Sequence, residues 1–104
     1  MNYQLHELKT DPIPFQDVLD EKKTFEIRFG DRDYQVGDTL LLRETQYSAY
    51  DMNRGIIRNN KIIPIPLIYT GRFIERRISH ILSGPIYGLK QGWVILSFSQ
   101  EVLT

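Results

Sequence analysis

Lys23-Thr24-Phe25-Glu26-Ile27-Arg28 places polar side chains at alternate positions between apolar ones. In an extended segment side chains alternate between two faces, so Thr24, Glu26 and Arg28 share one side. Phe25, Ile27 and Phe29 share the other, which is expected to face the core. A carboxylate and a guanidinium two residues apart can pair laterally. They can equally offer one acceptor and a fork of donors to a single polar ligand. Lys23 is expected at a helix-to-strand junction, where its amine reaches the same space. The plainer alternative is a solvated strand face carrying a structural Glu–Arg pair.

Other candidates are scattered. His6 and Lys9 sit beside an expected first strand. His6 suits a general base or a base-stacking ring, or simply a hydrogen-bonded residue. His80 shares the parity of Ile78 and Leu82 and is expected to be partly buried. Tyr69, Arg72 and Phe73 mix aromatics with a cation, as binders of single-stranded or loop RNA do; a strand with its apolar side to the core reads the same way. The two histidines lie far apart, and no metal-ligand motif accompanies them. No phosphate-binding glycine loop or nucleophile elbow is found. Neither a cofactor nor a metal is expected.

Positioning these groups falls to short strands. Tyr3 to Leu8 reads as the first, anchored by Leu5 and Leu8. Asp11 is placed to cap a short helix, with Phe15, Val18 and Leu19 at helical spacing and an end near Glu21 or Lys22. Strands follow at Thr24 to Phe29 and Thr39 to Glu44, the second apolar on both faces and therefore central. Gln46 to Asn60 reads as a long loop with a short strand at Ile56-Ile57. Asn59-Asn60 then suits a hairpin turn into Lys61-Ile62-Ile63. Leu67 to Leu82 is expected as one long strand bent near Gly71, closed by Gly84-Pro85. The last strand runs from Trp93 to Ser99, with Val94, Leu96 and Phe98 on one face. The fold class is α+β, mainly β: a small barrel-like sheet with one or two short helices, a single domain over residues 1–104.

Composition agrees with that scale. The chain holds 41% hydrophobic and 25% charged residues, no cysteine and zero net charge. Disulfides and thiolate metal sites are thereby excluded. The most apolar stretch, Ile62 to Tyr69, is too short to span a bilayer and holds two prolines. The N-terminus lacks signal-peptide character, and a cytoplasmic protein without a membrane partner is expected. Charge is uneven. From Met52 to Gln100 there are seven cations, Arg54, Arg58, Lys61, Arg72, Arg76, Arg77 and Lys90, against Glu75 alone. Such asymmetry makes a positive patch possible on a neutral protein.

Taken together, His6-Glu7-Leu8-Lys9, the Lys23 to Arg28 segment and Asp31-Arg32-Asp33-Tyr34-x-Val36-Gly37-Asp38 resemble a small bacterial and phage family. Tyr69-Thr70-Gly71-Arg72, Tyr87-Gly88-Leu89 and Gly92-Trp93-Val94-Ile95-Leu96 add to the likeness. That family is placed in the ASCH branch of PUA-like domains, and only Gln46 to Pro66 falls outside the resemblance. It implies a compact β-barrel whose cleft binds RNA. Some relatives act on modified nucleosides. One is an N4-acetylcytidine amidohydrolase using a lysine, a threonine and a glutamate. Its lysine matches Lys23, its threonine falls at Glu26, and its glutamate has no aligned counterpart. Phe29-Gly30 also replaces the Lys-Asn usual in the family.

The expected function is an RNA- or nucleotide-binding module. Its ligand residues are His6, Lys9, Lys23, Thr24, Glu26, Arg28, Tyr69 and Arg72. One alternative is a hydrolase of a modified nucleoside or of RNA, with Lys23 and Glu26 as catalytic residues. Another is a protein-interaction domain.

Overall fold

The computed structural model describes residues 2–99. Seven strands and two helices follow in the order β1 (Leu5–Thr10), α1 (Pro12–Leu19), β2 (Phe25–Phe29), β3 (Thr39–Thr45), α2 (Ala49–Arg54), β4 (Ile56–Arg58), β5 (Lys61–Ile63), β6 (Tyr69–Ser83) and β7 (Trp93–Phe98). Five strands form one sheet in the order β1-β3-β6-β7-β2, and β4 pairs with β5 alone. The fold is thus mainly β, as expected. Among the described residues no hydrogen-bonded ladder joins β1 to β2, so the sheet is not closed into a barrel.

The expected barrel seam is bridged by arginines instead. Arg28 Nη2 donates to the Lys9 carbonyl at 2.8 Å, and Arg32 Nη1 donates to that of Glu7 at 3.3 Å. Two carbonyls of β1 therefore meet guanidinium groups, one from β2 and one from the segment that follows it.

β3 is central, between β1 and β6, and Leu40 and Leu42 are fully buried, as its two apolar faces imply. α1 packs against β3 through Phe15 and Val18. Leu19 remains exposed, and so does Leu5, which the sequence offered as an anchor. Leu8, Tyr34, Ile74, Ile78, Leu96 and Phe98 complete the core. β6 runs its 15 residues as one strand. Gly71, at φ 93°, sits where the bend is expected. A register shift between Ile78 and His80 breaks the parity that linked His80 to the interior, and His80 is exposed.

One expectation is inverted. β2 alternates as read, but Glu26 is buried and Arg28 half-buried, while Phe25, Ile27 and Phe29 are exposed. The partner strand sets this orientation. Glu26 lies opposite Leu96 and Arg28 opposite Val94, both residues of the inward side of β7. Phe29 stands opposite Trp93 on the outer side, its ring 5.8 Å from the indole.

Gln46 to Asn60 is more ordered than a loop. Ser48 Oγ accepts the Asp51 amide, Gly55 ends the turn at φ 73°, and α2 lies between them. The hairpin is where the sequence put it, with Asn59 and Asn60 both at positive φ.

Candidate functional site

β1 and β3 are parallel, with Thr10 beside Glu44. Parallel pairing brings the C-terminal ends of both strands to one place, and each then feeds a helix. Thr10 leads through Asp11 into α1, and Thr45 leads through Ser48 into α2. A cavity of about 480 Å³ lies at this junction. That volume suits a ligand of nucleotide size.

Two cationic residues, Lys9 and Arg28, form part of the wall, beside the buried hydroxyls of Thr10 and Thr45. Thr45 Oγ1 donates within the protein, at 2.7 Å from the Tyr47 carbonyl and 3.3 Å from that of Thr10. Pro14, Ala49 and Met52 add apolar surface, and Asn53 contributes a carboxamide. Asp11 caps no amide of its own helix; its Oδ1 accepts the Ala49 amide at 3.0 Å, tying the start of α2 to the start of α1.

Behind Arg28 stands a compact charge cluster. Lys23 Nζ donates to Glu26 Oε2 at 2.7 Å. Arg28 Nη2 is 3.7 Å from Glu26 Oε1, close enough for charge attraction but beyond a hydrogen bond. Glu26 Oε1 is buried and has no hydrogen-bond partner. The lateral Glu26–Arg28 pair and the reach of Lys23 are therefore both present. Thr24 is exposed, and its carbonyl accepts the Phe98 amide at 3.0 Å.

The remaining candidates have other company. His6 is buried, with Nε2 2.7 Å from Asp38 Oδ2 and its ring against Tyr34. Asp38 also accepts the amides of Gln4 and Gln35, each at 3.0 Å. Burial alone pushes the Asp38 carboxyl up; the Gln4 amide, the His6 ring and the Gln35 amide outweigh it and hold the group below its usual value. Burial likewise raises the Tyr34 phenol, with Arg32 opposing. Tyr69 lies under the Arg43 guanidinium, 3.6 Å from the ring centre. Arg72 grips Glu44 with two donors, at 3.1 and 3.2 Å, and reaches Gln16 Oε1 at 3.0 Å. It thus clamps β6 to β3 and α1. No cluster of three or more metal-ligating side chains occurs among the described residues. None of their helices is long and apolar enough to cross a membrane.

Sequence reasoning missed Thr10, Asp11, Pro14, Thr45, Ala49, Met52 and Asn53 as cavity residues. A signal for α2 did exist, since Ser48-x-x-Asp51 followed by Gly55 is cap, first-turn acid and stop. Six residues are too few for helical periodicity to show.

One relative is the "Uncharacterized 12.9 kDa protein in GpA 3'region" of Escherichia phage P2, 32% identical over 81 residues. The match covers 78% of this chain and 57% of that protein, so the chain spans less than two thirds of its relative's length. A family described as "Domain of unknown function (DUF3850)" matches residues 5–98, all seven strands and both helices, and the chain belongs to that family.

Proposed function

We propose that the cavity at the ends of β1 and β3 binds RNA or a nucleotide, and that the fold is a PUA-like domain of the ASCH branch with an arginine-fastened seam. The observation that carries this reading is Arg28. Its guanidinium lines a nucleotide-sized cavity while standing 3.7 Å from Glu26 Oε1, a buried acceptor without a donor. A fork of donors suits phosphate or a base edge, and Glu26, which does not line the cavity, stands behind the guanidinium as its counter-charge. Lys9 adds a second cation at the rim, and Lys23 keeps the Glu26 carboxylate in place.

Titration calorimetry with cytidine monophosphate and with a short RNA tests the assignment. Arg28→Ala is expected to weaken binding by about tenfold or more, the loss of one charged hydrogen bond, while the thermal transition survives. Unchanged affinity would count against the cavity. Loss of the transition would make Arg28 a structural residue.

A second reading is favoured by the exposed row of Phe25, Ile27 and Phe29 beside Trp93, an apolar face of the kind that docks proteins. On that reading Ile27→Asp abolishes capture of a protein partner and leaves nucleotide affinity alone. The hydrolase alternative makes Lys23 and Glu26 catalytic, and turnover of acetylated nucleosides that vanishes in Lys23→Ala is its signature.

A further inference from the structure

We infer that the β4–β5 hairpin is a second contact for a nucleic-acid backbone, reaching past the cavity to the strand or stem that flanks the bound nucleotide. The inference rests on the RNA reading of the cavity and extends it from a free nucleotide to a polynucleotide.

Four observations converge on the hairpin. It pairs with no other strand and stands outside the five-stranded sheet. All six of its strand residues are exposed. Its turn is Arg58-Asn59-Asn60-Lys61, two cations flanking two carboxamides. Neither Arg58 nor Lys61 has an ion pair or hydrogen-bond partner among the described residues, so the tip is an uncompensated positive end. No acid occurs between Met52 and Ile74.

The hairpin is also placed for this role. α2 contributes Ala49, Met52 and Asn53 to the cavity, ends at Arg54, and passes through Gly55 directly into β4. A Cβ on Gly55 would stand 2.8 Å from the Ile63 carbonyl, so hairpin and helix meet at a close, glycine-dependent joint. Ile56 faces Ile63 and Ile57 faces Ile62, cross-strand pairs that stiffen a two-stranded ribbon. Exposed aliphatic side chains of this kind also suit shallow contact with sugars and groove walls. A stiff basic ribbon rooted at the cavity wall matches a polyanion that continues beyond the cavity.

The test compares the full chain with an Arg58→Ala/Lys61→Ala variant. Probes are cytidine monophosphate and a short stem–loop RNA with a single-stranded tail, titrated between about 50 and 200 mM salt. Losing two phosphate contacts is expected to flatten the slope of log affinity against log salt by roughly 1.5 to 2 for the RNA. Affinity for cytidine monophosphate stays unchanged. An Arg58→Lys/Lys61→Arg exchange keeps the wild-type slope. An unaltered slope in the double alanine variant overturns the inference and leaves the cavity reading standing. A flattened slope combined with full RNA affinity in Arg28→Ala sinks the cavity reading and keeps the hairpin contact. Absence of RNA binding by the wild-type chain overturns both. Concentration-dependent self-association that the alanine variant abolishes would assign the hairpin to a second copy of the chain and overturn the inference.

Discussion

Glu26 is held between two cations, and its side chain is only 5% exposed. A carboxylate so far from water depends on Lys23 and Arg28 for its charge to be tolerated. Glu26→Ala leaves two half-buried cations without their counter-charge. The expected loss is about 1–3 kcal/mol, read as a shift in urea midpoint at constant slope. The pairing of Glu26 with Arg28 was legible in the sequence because period-two alternation holds whichever side is buried, and Lys23 reaches them from the helix-to-strand junction as read, whereas Thr24 of the same parity stays exposed. Which side is buried was not, since Phe-x-Ile-x-Phe looks like a core face on its own. Register with β7 decides it: Leu96 turns inward and carries Glu26 with it. His6 could not be placed from its neighbours in sequence, because its partner Asp38 lies on the segment that opens β3, 32 positions away.

At the scale of elements, β2 and β3 make opposite demands on their apolar residues. Ile27 is 47% exposed on the outer face, whereas Leu40 is fully buried between β1 and β6. Leu40→Ala removes packing that cannot be refilled and is expected to cost about 2–5 kcal/mol. Ile27→Ala should cost under about 1 kcal/mol, because much of its surface is already wet. Thermal melts of the two variants check the contrast; equal losses would mean that β2 buries its apolar face after all. Strands β3, β6 and β7 were readable because their apolar runs are long or strictly alternating. α2 was hidden by its brevity, and the cavity with it, since its wall joins residues from four separate stretches of chain. Such a junction follows from the parallel pairing of β1 with β3, which no local pattern announces.

For the molecule as a whole, Asp38 links folding to acidity. Its carboxyl is held below the ordinary value, so the folded state binds that proton less readily than the unfolded chain. Stability from this group is present above the unfolded value, near pH 4, and drains away as pH falls through the lower folded one. Urea unfolding followed from pH 6 downward should show this decline in the wild type. Asp38→Asn should be less stable at neutral pH and flatter below about pH 4, because the carboxamide keeps one acceptor oxygen but puts an NH2 where the second carboxylate oxygen had accepted. A parallel decline in both proteins would assign the acid sensitivity elsewhere.

A peptide ladder is largely indifferent to which amino acids it joins, since every residue except proline brings the same amide and carbonyl. The junction of β1 with β2 lacks that tolerance, because two guanidinium groups span it. A single codon change at Arg28 or Arg32 therefore removes one of the two bridges to β1 while all five strands keep their neighbours. An anion that engages Arg28 would meet a side chain already anchored to the Lys9 carbonyl of β1.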